Sequence, residues 1–336
     1  MKLLVTGGAG FIGSNFIRYY LNKHRDCTIV NLDKLTYAGN LDNLRDVEND
    51  SRYCFVKGDI ADRQVVERIV SDGIEAIVNF AAETHVDRSI GDASDFIRTD
   101  VFGAFVLLEC ARNCGLKKFI QISTDEVYGS IEKGSFKEND PLMPRNPYSA
   151  SKAGGDRLAY SYWATHKLPV IITRASNNFG PYQYPEKVIP LFITNAIRGI
   201  PVPLYGDGMN VRDWLYVTDH CEAIDLVMEK GIDGEVYNIG GGNELPNIEL
   251  THFILDYLKM PRTLIKSVKD REGHDRRYSL DCGKLKKLGW RPRTDFERVL
   301  KKTIDWYVQN EWWWEKIKSG EYWEYYRKQY MYREKN

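Results

Sequence analysis

Thr6-Gly7-Gly8-Ala9-Gly10-Phe11-Ile12-Gly13 follows the apolar run Lys2–Thr6 and leads into an amphipathic stretch, Ile12–Lys23. Strand, glycine turn and helix, in that order, make a cradle for a pyrophosphate. Gly7 permits the tight turn, Gly10 lets backbone approach the anion, and Gly13 lets the helix pack closely on its strand. The unpaired amides of the helix N-terminus then face the phosphates. Twenty residues past Gly13, Asp33 ends a second β-branched run. A carboxylate there accepts from both hydroxyls of an adenosine ribose and repels a 2′-phosphate, so NAD is expected rather than NADP. The neighbouring cation Lys34 pulls the other way, since it could tolerate that phosphate. Asp59 and Ile60, after a third run, stand where the adenine would lie.

Working outward, short β-branched runs alternate with amphipathic stretches over the first 175 residues, the pattern of βαβ units. Strands are expected at Lys2–Thr6, Thr28–Leu32, Tyr53–Lys57, Ala76–Phe80, Lys118–Ser123 and Val170–Ala175. Helices are expected at Ile12–Lys23, Arg63–Asp72, Ala93–Cys114 and Ser149–His166. Several strands are apolar almost throughout, as strands covered on both faces should be. The expected class is α/β, a Rossmann-type doubly wound parallel sheet. After Ser176 the alternation weakens and Pro and Gly become frequent, which suggests a smaller α+β substrate-binding lobe. The expected division gives residues 1–176 to the nucleotide-binding domain, with 213–240 returning to it, and residues 177–212 and 241–336 to the second lobe.

Composition narrows the function classes. The 336 residues are 43% hydrophobic and 28% charged, ordinary globular values. Forty-seven basic side chains balance forty-seven acidic ones, leaving no global field to hold a polyanion, so nucleic acid is not an expected partner. The balance does not hold locally: between Lys259 and Lys302 stand 15 Lys and Arg against 6 Asp and Glu, where a small anion could dock. The six cysteines, Cys27, Cys54, Cys110, Cys114, Cys221 and Cys282, form no CxxC pair and no cluster with histidine. Free thiols and no metal site are therefore expected, with Cys110 and Cys114 buried in an apolar stretch. No basic flank with an apolar segment and cleavage site opens the chain, and no run reaches about 18 apolar residues, so a cytoplasmic protein without a membrane partner is expected. The segment from Trp306 to Tyr332 holds five of the eight tryptophans and is expected to pack on its own protein.

The chemistry is carried by Tyr148-Ser-Ala-Ser-Lys152, directly after Pro147. Four residues put phenol and ammonium on one helical face, where the cation is expected to favour the phenolate and make it a usable base. Thr6 to Gly13, Asp33, Asn79-Phe80-Ala81-Ala82 and the Tyr148/Lys152 pair, in this order, resemble the extended short-chain dehydrogenase/reductase family over essentially the whole chain. The resemblance implies that Tyr148 deprotonates a substrate hydroxyl while NAD takes a hydride, that Lys152 also holds the nicotinamide ribose, and that Thr124 binds the reacting oxygen. It implies a cofactor site of Gly7, Gly10, Phe11, Ile12, Gly13, Asp33, Lys34, Thr36, Asp59, Ile60, Ala81, Ala82, Tyr148 and Lys152.

Ser123-Thr124-Asp125-Glu126-Val127-Tyr128-Gly129 decides the branch. Moving a hydride alone does not need two adjacent carboxyls, whereas expelling water needs a base for an acidic proton and an acid for the departing hydroxyl. Together with Ala82-Glu83-Thr84-His85-Val86-Asp87-Arg88-Ser89 and Asn177-Asn178-Phe179-Gly180-Pro181-Tyr182-Gln183, this stretch resembles the nucleotide-sugar 4,6-dehydratases. That resemblance implies oxidation at carbon 4 of the hexose and loss of water across carbons 5 and 6. Glu126 would be the base and Asp125 the acid, and the hydride would return to carbon 6. It implies a sugar-diphosphate site of Glu83, His85, Asn177, Lys187, Arg212, Asn247, Arg271 and His274, the last two in the basic stretch. It also implies a homodimer through helices around Ala93–Cys114 and Ser149–His166. The expected substrate is dTDP-glucose. UDP-glucose is the nearest alternative, then a 4-epimerase, then a Rossmann binding protein without catalysis.

Overall fold

The computed structural model describes residues 1–331, so Tyr332 lies outside the described residues. The first strand, Lys2–Thr6, shows how the layers form. Leu3 and Val5 point into one apolar layer with Phe16, Ile17 and Leu215, and Leu4 points into the other with Ile77, Val66 and Leu107. Successive side chains leave a strand on opposite faces, so a run without polar alternation must be covered twice.

Seven strands, all paired in parallel, form the main sheet in the order Val236–Ile239, Val170–Ala175, Lys118–Thr124, Ala76–Asn79, Lys2–Thr6, Thr28–Asp33, Tyr53–Lys57. This is the expected doubly wound sheet, with its six expected strands displaced by at most one residue at an end. The strand Val236–Ile239 joins it from far along the chain. Strand order reverses between Lys2–Thr6 and Ala76–Asn79, and a crevice for ligand opens at the carboxyl ends beside such a point.

A third apolar cluster sits apart from the two sheet faces. It gathers Phe179, Leu191, Ile193, Trp214, Leu250, Ile254, Leu300 and Ile304 with Trp313, Trp314 and Tyr322 from the C-terminal segment. Around it lie a three-stranded sheet, Glu244–Pro246, Val211–Tyr216 and Asn177–Phe179, and a parallel pair, Val202–Tyr205 with Ile265–Val268. The basic stretch is neutralised in part from outside itself, by Arg262–Asp256, Arg276–Asp207, Arg277–Glu244, Lys284–Glu235 and Arg293–Glu222 ion pairs.

Two expectations change. The stretch Ala93–Cys114 is not one α-helix but a short turn, Ser94–Phe96, a wide π turn, Ile97–Gly103, and an α-helix, Ala104–Cys114. Cys110 is buried but Cys114 is exposed, because it is the last helical residue before the left-handed Gly115. Among the described residues no helix is long and apolar enough to cross a membrane, and no cluster of His, Cys, Asp and Glu could hold a metal ion.

Candidate active site

Two cavities meet at the carboxyl end of the main sheet. The first is floored by the glycine turn. Gly7 has φ +67°, and a Cβ there would lie 2.6 Å from the Ala81 amide nitrogen, so only glycine lets the first and fourth strand ends approach. A Cβ on Gly10 would meet only the Gly7 carbonyl, at 3.2 Å, and would otherwise fill the cavity. Phe11, Ile12, Gly13, Asp33, Lys34, Thr36, Asp59, Ile60, Ala81 and Ala82 line the same cavity, as do Tyr148 and Lys152. Asp33 is positioned by two backbone amides, Ala9 to Oδ2 at 2.9 Å and Leu35 to Oδ1 at 2.8 Å, which leaves lone pairs for a further donor. Lys34 forms an ion pair with Asp59 at 3.0 Å, so its charge is already matched.

The helix Pro147–His166 begins where it does because Asn146 Oδ1 accepts from the Ser149 amide at 2.9 Å and Pro147 occupies the first turn. Tyr148 and Lys152 therefore stand one turn apart on the cavity wall. Lys152 is 5% exposed and donates to the Ile122 carbonyl at 2.8 Å. The expected pull of its ammonium on the phenol is not what dominates. Burial, reinforced by the carboxyls of Glu126, Asp100 and Asp125, holds the Tyr148 phenol well above the ordinary tyrosine range, and a hydrogen bond with Thr124 offsets this in part.

Thr124 ends the strand Lys118–Thr124 and caps the turn Asp125–Tyr128: its hydroxyl accepts from the Glu126 amide at 3.3 Å and donates to Asp125 Oδ1 at 3.2 Å. The adjacent acids have different surroundings. Asp125 is 2% exposed, its Oδ2 has no hydrogen-bond partner, and burial together with the Glu126 and Asp213 charges pushes it well above the carboxylate range. Burial also raises Glu126, but Arg271, Arg212 and Lys187 act against the rise. Asp125 is thus the member kept protonated, and Glu126 the member that three cations help to ionise.

Glu126 opens on the second cavity, together with His85, Asn177, Lys187, Arg212, Asn247, Arg271 and His274. Arg212 is held by the carbonyls of Val211, at 2.7 Å, and Asp275, at 2.9 Å, and lies over the Tyr278 ring at 4.3 Å. His274 meets Asp270 through Nδ1 at 2.5 Å, and burial beside Arg271 and Arg212 lowers it to about 3. Asn177 Oδ1, Asn247 Oδ1, Arg271 Nε and His274 Nε2 are buried without partners. Such a set of unmet donors and acceptors around cations is a binding surface for a polar anion. Lys187 and Gln183 line both cavities and mark their junction. Glu83 lines the first cavity rather than the second, and Thr124 and Asp125 line neither.

Sequence reasoning did not single out Asp100. The π turn brings it to the helix Pro147–His166, whose Gly155 leaves room: a Cβ there would be 2.4 Å from the Asp100 carbonyl. Its carboxyl accepts from Ser151 Oγ at 2.6 Å and the Glu83 amide at 3.2 Å, and burial lifts it to about 6 although Lys152 opposes the rise. The sequence carries no signal for it, because Asp95, Arg98, Glu109 and Arg112 share the same stretch and nothing in the spacing sets Asp100 apart.

Residues 4–303 match the family described as GDP-mannose 4,6 dehydratase. A dTDP-glucose 4,6-dehydratase of Streptomyces antibioticus is 53% identical over 325 residues, 95% of this chain and 96% of that protein. The low-salt glycan biosynthesis protein Agl12 of Haloferax volcanii is 54% identical over 311 residues, covering 93% of this chain and 100% of its own. The crystal structure of the dTDP-glucose 4,6-dehydratase DesIV from Streptomyces venezuelae, with NAD bound, superimposes with a TM-score of 0.93 at 52% identity, over 94% of this chain and 100% of that one. The chain therefore belongs to the extended short-chain dehydrogenase/reductase superfamily and, within it, to the nucleotide-sugar 4,6-dehydratase family.

Proposed function

We propose that the protein converts dTDP-glucose to dTDP-4-keto-6-deoxyglucose and water with NAD as a resident cofactor. The first cavity fits that cofactor: a glycine turn that a Cβ would fill, a ribose-facing Asp33 and a Lys34 already neutralised by Asp59. When bound, NAD supplies a positively charged nicotinamide that accepts a hydride from carbon 4 of the sugar and returns it to carbon 6.

Tyr148 takes the proton of the sugar 4-hydroxyl and Thr124 hydrogen-bonds the oxygen. The resulting ketone acidifies carbon 5. Glu126 removes the carbon 5 proton, Asp125 protonates the 6-hydroxyl, and water departs. Glu126 then returns its proton to carbon 5, and the proton held by Tyr148 replaces the one lost from Asp125. Lys187, Arg212 and Arg271 face the diphosphate, with Asn177, Asn247 and His274 fixing its surroundings. Glu83 and His85 belong to the walls that border the sugar.

The observation that carries this reading is the split between Asp125 and Glu126: burial and two neighbouring acids raise the first, with Thr124 and Arg212 opposing, whereas three cations oppose the burial of the second. A 4-epimerase needs no such pair. Incubation with dTDP-glucose and with UDP-glucose, followed by development of the 4-keto chromophore in base, tests the reaction and the nucleotide. In Asp125→Asn/Glu126→Gln, reduced cofactor should still form while net dehydration disappears; equal loss of both would refute the assigned roles. Homodimerisation through the outer faces of the segment Ile97–Cys114 and the helix Pro147–His166 is supported by Phe102, in the π turn, and Tyr160, on the helix, left 47% and 39% exposed, and light scattering tests it. A cytoplasmic location is part of the same reading, since the substrate is an activated sugar nucleotide.

A further inference from the structure

The C-terminal segment takes no part in the chemistry above, yet it reaches the junction of the two cavities. The helix Glu321–Tyr326 sets the Tyr325 ring over the Arg88 guanidinium, 4.2 Å to the centroid, and its hydroxyl 3.2 Å from His85 Nδ1. Arg88 also lies over the Tyr37 ring at 3.8 Å, and its Nε and Nη2 donate to Glu186 Oε2 at 3.1 and 3.0 Å. The His85 ring hydrogen-bonds the backbone of Glu186 and is kept neutral by burial. Its own backbone stands at φ +88°, a conformation that persists only where the surroundings over-determine it. Both residues that Tyr325 touches thus end on Glu186, and Glu186 precedes Lys187, the lysine common to both cavities.

We infer that Tyr325 is a positioning residue which, through His85 and Arg88, fixes the Glu186–Lys187 step and thereby the ammonium at the junction of the cofactor and substrate cavities. The inference rests on the proposed reaction. Glu186 is 3% exposed, and its Oε2 accepts two hydrogen bonds from Arg88 with the Tyr37 hydroxyl beside the same carboxyl, so a shift of Arg88 displaces a buried charge rather than a surface one. Tyr37 follows the second strand in the loop that carries Thr36, so the same guanidinium ties the C-terminal segment to the cofactor side as well.

Tyr325→Phe keeps the ring on Arg88 and removes the bond to His85, whereas Tyr325→Ala removes both. If the wild type fails to convert dTDP-glucose, the functional reading has failed; the comparison below applies to an active wild type. KM for dTDP-glucose should rise roughly 3- to 10-fold in Tyr325→Phe and further in Tyr325→Ala, with kcat changed by less than about 2-fold in the Phe variant. Affinity for dTDP-glucose measured by calorimetry in a Tyr148→Phe background, where turnover is slowed by orders of magnitude, should weaken in parallel. Arg88→Lys should raise KM as well, and the Tyr325→Ala/Arg88→Lys pair should do little more than the larger single change. Unchanged KM in Tyr325→Ala, a lowered Tm with KM untouched, or fully additive effects of the pair would each overturn the inference.

Discussion

The two cavities share Lys187 and Gln183 but are built from different materials. The first is made of strand ends and backbone: the glycine turn after Thr6, Asp33 closing the second strand, Asp59 and Ile60 after the third, and Ala81 and Ala82 after the fourth. The second is made of long side chains from scattered segments, with Asn177, Lys187, Arg212, Asn247 and Arg271 converging from positions up to 94 residues apart. A backbone cradle is specified by a local pattern, since turn, strand and helix must follow one another. A side-chain cradle is specified only by the packing of the apolar cluster beneath it. The first should therefore tolerate changes in that apolar cluster, and the second should be sensitive to its own supports.

The largest effect is expected at the boundary, where neither cavity alone suffices. Tyr148→Phe removes the proton acceptor but neither glycine turn nor cations, so kcat should fall about 10²- to 10⁴-fold while NAD and dTDP-glucose still bind. The wild-type phenol fixes the sign of the pH dependence. Because burial and three carboxyls raise the phenol, oxidation of carbon 4 should speed up with rising pH, and single-turnover formation of reduced cofactor in the wild type measures this. A rate that falls as pH rises through neutrality would remove Tyr148 from the role of base.

How much was legible follows the same division. Thr6 to Gly13 and the Tyr148/Lys152 spacing were readable because each is complete within about two helical turns. Even there, the partner of Lys152 was not: its ammonium goes to the Ile122 carbonyl, contributed by a strand that the four-residue spacing says nothing about. The π turn at Ile97–Gly103 spans seven residues, too few for its wider winding to set a period of its own in the hydrophobic pattern. The junction formed by Tyr37, Arg88, Glu186 and Tyr325 joins four distant segments and has no linear signature. Arginine between two tyrosines becomes visible only after folding.

A middle-sized effect should separate the two materials directly. Arg271 is drawn to Asp87 and Glu126 and keeps Nε free in the second cavity. Losing charged hydrogen bonds to a diphosphate costs about 1.5–3 kcal/mol, so Arg271→Ala should raise KM for dTDP-glucose roughly 10- to 100-fold. NAD retained through gel filtration should be unchanged, because the residue lines only the second cavity. Loss of the cofactor along with the substrate would show that the cavities are one cooperative unit and would erase the contrast drawn between them.

The smallest effect probes the support of the second cavity rather than its wall. Lys318, within the C-terminal segment, is 6% exposed and donates to Thr194 Oγ1 at 3.0 Å and Asn195 Oδ1 at 2.6 Å, and burial beside Arg198 lowers it to about 7. The unfolded chain holds that proton up to the ordinary lysine value of 10.5, so between pH 7 and 10.5 it binds more protons than the folded protein. Stability from this group therefore rises with pH across that window, and below it the full cost of burying the cation is felt. Lys318→Met removes the titration, and the two lost hydrogen bonds subtract a contribution that varies less with pH. Relative to wild type, the variant's Tm should be highest near pH 7 and decline by a few degrees toward pH 9.5. A difference in Tm that stays constant with pH would mean that the lysine finds a counter-charge on folding, and that the segment carrying Tyr325 is anchored by an ion pair rather than by a buried amine.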